Sequence, residues 1–337
     1  MNERINNTPN TPEEVVEVGV EVAKNEVATG AKEHPKAEPQ AGPKAEPQAG
    51  PKTESKWGAK VVRKRFPSWV DLFATVGVFV LSSLLGSVVA LVIMKMRGAE
   101  SLTPDLTLLY YLIQMLPPIG YVAWLRHKAG RPCGVRLGVR KVNLPMLLWG
   151  VVVLMASSVV LEPLLMLFPK EEYQNVTDMV GLGGWAILSV VVCAPVLEEI
   201  LFRGLIFESC RERFGSGVAV LVSALLFGLV HGVPVQIINA FVVGLIFGYI
   251  YLRTGSLLSV ILLHVVNNGI AYISLAFFGD AADTTLRDLI GPDWLYWAVY
   301  ALSTVVFVYA MVRLCIIGSS FIHLIRTDSN VFFLMAE

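Results

Sequence analysis

The sequence has few charged residues for its length. Only 16% of its 337 residues are charged, whereas 55% are hydrophobic, and the mean hydropathy is +0.62. Apolar runs of about 20 residues recur along the chain, which is the length that a transmembrane helix needs. The scarcity of charge therefore argues against a soluble domain and indicates a polytopic helical membrane protein.

Cysteines are also few, and their spacing is irregular. Cys133, Cys193, Cys210 and Cys315 are scattered and form no CxxC pair. The pattern suggests neither a zinc knuckle nor a disulfide framework. The chain also contains no HExxH sequence.

The first 60 residues lack an apolar segment, so we expect no signal peptide there. Residues 1–56 contain no aromatic residue and are rich in Pro, Glu, Lys, Ala and Gly. The octapeptide KAEPQAGP occurs twice, at Lys36–Pro43 and Lys44–Pro51. Such a segment buries too little apolar surface to offset its ordering entropy. We predict a disordered tail over residues 1–56.

Apolar runs after the tail predict an all-α fold, a polytopic membrane bundle of about eight transmembrane helices. The predicted spans are Trp69–Met94, Thr107–Leu125, Leu144–Phe168, Trp185–Phe207, Gly217–Val233, Ile237–Leu252, Leu257–Phe278 and Trp294–Ile317. The GxxxG pairs Gly228/Gly232 and Gly244/Gly248 predict that the fifth and sixth spans pack closely inside the bundle.

Basic residues concentrate on one side of the predicted spans. They are frequent at residues 52–65 and 126–141, whereas acids such as Glu171, Asp178 and Asp283 lie in the opposite loops. The positive-inside rule then predicts that both termini are cytoplasmic.

The stretch Ala194–Ile206, APVLEEILFRGLI, places Glu198, Glu199 and Arg203 inside an apolar run. Ionised groups in hydrocarbon are costly, so they are usually paired or functional. Glu199 and Arg203 are four residues apart, so they share a helix face and are expected to pair. Glu198 points about 100° away from them and has no local partner.

Two histidines and an asparagine also lie in apolar spans. His231 belongs to the fifth predicted span and His264 to the seventh, and Asn268 shares a helix face with His264. Asn267 is a second candidate for that face. By contrast, Glu162 lies beside Pro163 near the outer end of its span, and we interpret it as interfacial and not catalytic.

These residue types suit hydrolysis. A carboxylate beside an imidazole can take a proton from water, and a second imidazole with an amide can stabilise an oxyanion. Alternatively, Glu198, His231 and His264 could hold a zinc ion with one open position. Taken singly, each histidine or asparagine could instead form a structural hydrogen bond between helices.

The motifs Glu198-Glu199-x-x-x-Arg203, Phe227-x-x-x-His231 and His264-x-x-x-Asn268 resemble those of the CPBP intramembrane protease family. That family comprises type II CAAX prenyl endopeptidases and the bacterial Abi and bacteriocin-immunity proteins. The resemblance covers Trp185–Phe278, with the three motifs in the family's order.

The resemblance implies an eight-helix membrane fold with a cavity open to the cytosol. It implies that Glu198 and His231 activate water, that His264 and Asn268 line the oxyanion site, and that Glu199 and Arg203 support them. It leaves both a zinc-dependent and a metal-free glutamate mechanism open. By this resemblance we expect an integral protein of the bacterial inner membrane.

We therefore predict an intramembrane endopeptidase that cuts a peptide bond near the cytoplasmic face. Residues 57–183 would form the N-terminal helices, 184–278 the catalytic core and 279–337 the last helix and C-terminal tail. The expected partners are a peptide or protein substrate, including a lipid-modified one, and membrane lipids, with no nucleic acid. The alternatives are a proton-coupled transporter, disfavoured because the spans show no internal repeat, and a non-catalytic immunity or scaffold protein.

Overall fold

The computed structural model describes residues 66–100, 102–169, 182–278 and 285–334, and of residues 140 and 321–334 it describes only the backbone. Every element of regular secondary structure in these ranges is helical, which confirms the predicted all-α fold. The predicted disordered tail lies outside the described residues, and the predicted division of the rest into three regions stays a prediction.

The described residues form one short 3₁₀ turn at Val139–Lys141 and nine helices, which we number in chain order. They are α1 (Trp69–Arg97), α2 (Pro104–Lys128), α3 (Leu144–Leu165), α4 (Gly184–Phe214), α5 (Ser216–Leu229), α6 (Pro234–Thr254), α7 (Leu257–Phe278), α8 (Leu286–Ile290) and α9 (Asp293–Leu334).

Seven of the helices in the described ranges are long and apolar enough to cross a membrane: α1, α2, α3, α4, α6, α7 and α9. They correspond to seven of the eight predicted spans. The remaining prediction, Gly217–Val233, corresponds to α5, which has only 14 residues. At 1.5 Å per residue α5 is about 21 Å long, shorter than the roughly 30 Å of a hydrocarbon core.

The helix ends follow from local sequence. Ser68 and Asp71 exchange side-chain and backbone hydrogen bonds at the start of α1, which satisfies two otherwise unpaired amides. Pro104 and Pro234 stand at the first positions of α2 and α6, where the missing N–H has no helical partner in any case. Gly215 separates α4 from α5 with a φ of 88°, a conformation that favours glycine.

Helix α4 is the centre of the bundle. It contacts α2, α5, α6 and α7, whereas α1 packs mainly on α2, and α9 packs mainly on α3. In the most apolar 18-residue window of each helix, 44% of α4 is buried inside the protein, compared with 22% of α1. Helix α1 instead exposes large apolar side chains such as Val70, Phe73 and Leu81, which a bilayer would cover. The charged stretch of α4 therefore faces protein and not lipid.

Helices α5 and α6 form a close antiparallel hairpin, as the glycine pattern predicts. A Cβ added to Gly228 would lie 2.8 Å from the Ile237 carbonyl oxygen, and one added to Gly244 would lie 3.0 Å from the Ala224 Cα. These glycines therefore let the two backbones approach. Gly232 differs, because no atom lies within 4 Å of its added Cβ and its φ is 74°; it forms the turn between the helices.

A buried basic cluster joins the end of α2 to the end of α4. Arg126 is 4% exposed; its Nε donates to the Pro132 carbonyl at 2.8 Å and its Nη1 to the Ser209 hydroxyl at 2.7 Å. Its Nη2 lies 3.5 Å from Glu212, which also pairs with Arg131. We call these five residues the Arg126 cluster.

Candidate active site

The candidate site is built on an irregular part of α4. Two π-helical segments, Ile187–Cys193 and Ile200–Phe207, flank one regular α-helical stretch, Ala194–Glu199. That stretch carries both glutamates, and Pro195 is its second residue. Short π-helical segments inside α-helices are frequent at functional sites.

Glu199 and Arg203 form the predicted ion pair. Arg203 Nη1 donates to Glu199 Oε1 at 2.9 Å, and neither side chain is exposed. Arg203 Nη2 also donates to the Gly244 carbonyl at 3.1 Å, so the pair ties α4 to α6. Removing one partner of such a buried pair would leave an uncompensated charge.

Two phenylalanines enclose this pair. The Arg203 guanidinium lies 4.5 Å from the ring centroid of Phe227 and 5.4 Å from that of Phe247, within cation–π range. The same rings contact the imidazole of His264, at centroid distances of 5.6 and 5.1 Å. The charged groups are therefore surrounded by aromatic side chains, in an environment that strengthens their mutual attraction.

His264 lies between the two glutamates and is 3% exposed. Its Nδ1 is 2.9 Å from Glu199 Oε1, and its Nε2 is 3.6 Å from Glu198 Oε2. An ionised Glu199 can only accept, so the Nδ1 proton is donated to it. The distance from Nε2 to Glu198 Oε2 is longer than a hydrogen bond. The two groups attract each other when either the imidazole or the carboxyl group carries the proton on that side.

Glu198 has a second partner that the sequence did not reveal. The hydroxyl of Tyr111, on α2, donates a short hydrogen bond to Glu198 Oε1, while Glu198 itself is only 6% exposed. The sequence contained one indication of this contact, a tyrosine hydroxyl in the middle of an apolar span. That indication does not identify the partner unless the packing of the helices is known. We call Tyr111, Glu198, Glu199, Arg203 and His264 the Glu198 cluster.

His231 follows α5 and approaches the cluster through Phe227. Its Nδ1 lies 2.8 Å from the Phe227 carbonyl, and its ring centroid is 5.1 Å from that of Phe227. A carbonyl only accepts, so Nδ1 carries a proton and the Nε2 of the neutral ring keeps its lone pair. The phenyl ring of Phe227 thus contacts both imidazoles.

Asn268 does not reach the glutamates. Its Nδ2 donates to the Val190 carbonyl at 3.0 Å, and its Oδ1 accepts from Asn267 at 3.2 Å. The structure therefore brings Glu198, Glu199, Arg203 and His264 into contact and places Asn268 one turn further along α7. The catalytic roles expected for the six residues stay predictions.

A zinc ion at this site would need three side-chain ligands that converge on one point. Among the described residues, no three His, Cys, Asp or Glu side chains lie close enough together to hold a metal ion. Glu198 and His264 could share one through Nε2, because Nδ1 of His264 donates to Glu199, as the second ring nitrogen of a metal-bound histidine usually donates to a carboxylate or carbonyl. Nδ1 of His231 donates to a backbone carbonyl in the same way. The predicted zinc ligation by Glu198, His231 and His264 stays a prediction.

Comparisons with known proteins identify the same region. Residues 181–270 match the family model described as type II CAAX prenyl endopeptidase Rce1-like. The chain is 29% identical over 99 residues to "Putative membrane peptidase YdiL" of Bacillus subtilis (strain 168), covering 29% of this chain and 41% of that protein. It is 33% identical over 84 residues to "Uncharacterized 24.3 kDa protein" of Escherichia coli, covering 23% and 39%.

The chain thus spans about two fifths of the length of these relatives. No solved structure matches it. The family match confirms the resemblance to the CPBP family over residues 181–270 and includes every site residue predicted from the motifs. Tyr111 lies outside the matched segment, in the N-terminal part of the chain.

Proposed function

We propose that this protein is an intramembrane endopeptidase that hydrolyses a peptide bond near the cytoplasmic face of the membrane. The observation that carries the proposal is that the Glu198 carboxylate is buried but incompletely hydrogen-bonded. It is buried inside a bundle of membrane-spanning helices. Its Oε2 lies 3.6 Å from His264 Nε2 and accepts no hydrogen bond from the part of the chain that the structure describes. A carboxylate kept in this state at a high solvation cost is suited to take a proton.

Hydrolysis needs one proton acceptor and one group that stabilises charge. Glu198 would take a proton from water as the water oxygen bonds to the peptide carbonyl carbon, which produces a tetrahedral oxyanion. The C–N bond then breaks, and the proton passes to the leaving nitrogen. Nε2 of His231 is a further site that can hold this proton.

The remaining members of the cluster orient these groups. Glu199 holds His264 through Nδ1, so Nε2 of His264 points at Glu198. Arg203 compensates the charge of Glu199, and Tyr111 fixes the other oxygen of Glu198. Oriented donors that need no reorganisation during the reaction supply much of an enzyme's rate acceleration.

The proposed orientation places both termini in the cytoplasm. The basic ends of α2 and α4 meet in the Arg126 cluster, which supports a common side for them. Helices α5 and α6 form a hairpin that begins and ends on the same side of the bundle. The short length of α5 therefore does not change the proposed orientation of the other helices. In this orientation the substrates would be cytoplasmic peptides or proteins, including lipid-modified ones, and the protein would lie in the bacterial inner membrane.

The activity can be tested on the purified full chain in liposomes. The substrates are matched C-terminal peptides, one with a prenylated cysteine and one unmodified, and products are detected by mass spectrometry. Cleavage of either supports the proposal, and preference for the prenylated peptide supports a lipid-modified substrate. No cleavage of these peptides or of a membrane-peptide library would contradict it.

A metal requirement is tested in the same assay. Loss of cleavage with a chelator, with recovery on addition of Zn²⁺ and not of Mg²⁺, would support the zinc-dependent form of the proposal. Full activity after chelation, with no zinc in the active preparation, would support the metal-free form.

A non-catalytic scaffold is the second candidate. It is favoured by the backbone hydrogen bonds of His231 and Asn268, since both side chains already have structural roles. A scaffold would keep its biological activity when Glu198 is replaced by glutamine, whereas an enzyme would lose it.

A further inference from the structure

One face of α7 makes a series of polar contacts to α4. His264 binds Glu199 at 2.9 Å, Asn268 donates to the Val190 carbonyl at 3.0 Å, and the Tyr272 hydroxyl accepts from the Gly183 amide at 2.8 Å. The three α7 residues are spaced four apart, so they lie on one stripe of the helix. This stripe fixes the position of α4 before and at the glutamates.

The middle contact is unusual, because helical carbonyls normally bond within their own helix. In the π-helical segment Ile187–Cys193 an amide bonds to the carbonyl five residues earlier, and Ala194 accordingly donates to Ser189. The next donor in this pattern, for the Val190 carbonyl, would be residue 195. That residue is proline, which has no N–H.

Pro195 therefore leaves the Val190 carbonyl without its helical donor. An unsatisfied backbone carbonyl within a membrane-spanning helix is costly. The carboxamide of Asn268 donates to this oxygen. Asn267 donates to Asn268 Oδ1, which keeps the NH₂ group directed at Val190.

We propose that Asn268 is a positioning residue whose carboxamide replaces the backbone donor removed by Pro195, and so holds α4 against α7 beside Glu198. The proposal deepens the endopeptidase assignment and rests on it for its catalytic consequence. It gives Asn268 a role different from the oxyanion donor that the family resemblance implies. Pro195 and Asn268 act as a pair, since each makes the other necessary.

A double-mutant cycle tests the pairing. Asn268→Ala should lower kcat by about 100-fold with KM nearly unchanged, and should lower the melting temperature. Pro195→Ala restores an N–H for the Val190 carbonyl, so it should change kcat less than about threefold. In the Pro195→Ala background, Asn268→Ala should cost less than about tenfold in kcat, because the carbonyl is already satisfied.

Tyr272→Phe is the matched control. It removes a contact on the same stripe that does not involve Pro195, so its effect should be equal in both backgrounds. If Pro195→Ala folds poorly, Pro195→Ser supplies the same N–H. The kcat is measured per folded molecule, because a purely structural role of Asn268 would reduce the folded amount and leave that kcat unchanged.

Equal costs of Asn268→Ala in the two backgrounds, in both kcat and melting temperature, would overturn the pairing. The melting temperatures separate this failure from that of the proposed function. If the chain cleaves no peptide but Pro195→Ala abolishes the melting-temperature loss caused by Asn268→Ala, the pairing stands and the endopeptidase assignment fails.

Discussion

The Arg126 cluster and the Glu198 cluster both join α2 to α4, yet their hydrogen bonding differs. In the Arg126 cluster, one buried cation donates to a carbonyl, a hydroxyl and a carboxylate. In the Glu198 cluster, two adjacent acids share one arginine and one histidine, and only Glu199 is paired at hydrogen-bond distance to both. In the first cluster, each donor nitrogen of Arg126 has an acceptor. In the second cluster, Glu198 can accept further hydrogen bonds.

This difference separates a structural from a functional use of buried charge. A saturated cluster gains stability or specificity and needs no further partner. An incompletely paired acid costs stability, and such costs persist mainly where function uses them. Glu199 also has a buried Oε2 without a hydrogen-bond partner among the described residues, which adds to the cost of the Glu198 cluster.

The largest expected effect is on activity, from His264→Ala. Loss of the imidazole removes the contact to Glu198 and should lower kcat by about 1000-fold, within the range for a lost acid–base group. His127→Ala, in the exposed end of α2, is the control and should retain full activity. Wild-type kcat in His264→Ala would show that the imidazole has only a packing role.

Arg126→Ala should affect stability instead. It removes charge-assisted hydrogen bonds to Pro132 and Ser209, and should lower the free energy of unfolding by about 2–3 kcal/mol. The kcat of the folded protein should stay within about twofold of wild type. Arg131→Ala, which removes a half-exposed pair with Glu212, should cost less than about 1 kcal/mol. A large fall in kcat would contradict the structural assignment of this cluster.

Tyr111→Phe tests whether α2 contributes to the Glu198 cluster. Removal of one hydrogen bond to a carboxylate should lower kcat by about tenfold with little change in KM. Tyr110→Phe is a matched control, because its hydroxyl bonds to Gln114 and not to the cluster. Equal kcat values in the two variants would show that Tyr111 does not orient Glu198.

Ser209→Ala is expected to have the smallest effect. It removes one neutral acceptor of Arg126 and should cost about 1 kcal/mol in unfolding free energy. Its kcat should equal that of wild type. A stability loss as large as that of Arg126→Ala would mean that the hydroxyl, and not the carbonyl or carboxylate, sustains the Arg126 cluster.

Sequence predicted the features that depend on local spacing. Apolar runs located seven membrane-spanning helices, and the four-residue spacing gave the Glu199–Arg203 pair. The fifth span was predicted to be longer than α5, because the apolar run continues through the turn at Gly232.

Features that depend on packing between distant segments were not predictable. Tyr111 is 87 residues from Glu198, and a tyrosine in an apolar span carries no local sign of its partner. The contact of Asn268 with Val190 depends on the π-helical register of a different helix. Both require the relative position of two helices, which residue spacing within one helix cannot supply.

The most direct measurement of the central claim is the kcat of Glu198→Gln in liposomes, compared with Glu162→Gln. Glu162 is a half-buried glutamate near the end of α3, and it accepts a hydrogen bond from the Leu286 amide, away from the site. We predict that Glu198→Gln lowers kcat at least about 1000-fold and that its melting temperature is not below that of wild type, because the substitution removes a costly buried charge. We predict wild-type kcat for Glu162→Gln. Cleavage by Glu198→Gln at the wild-type rate would contradict the role of Glu198 as the base.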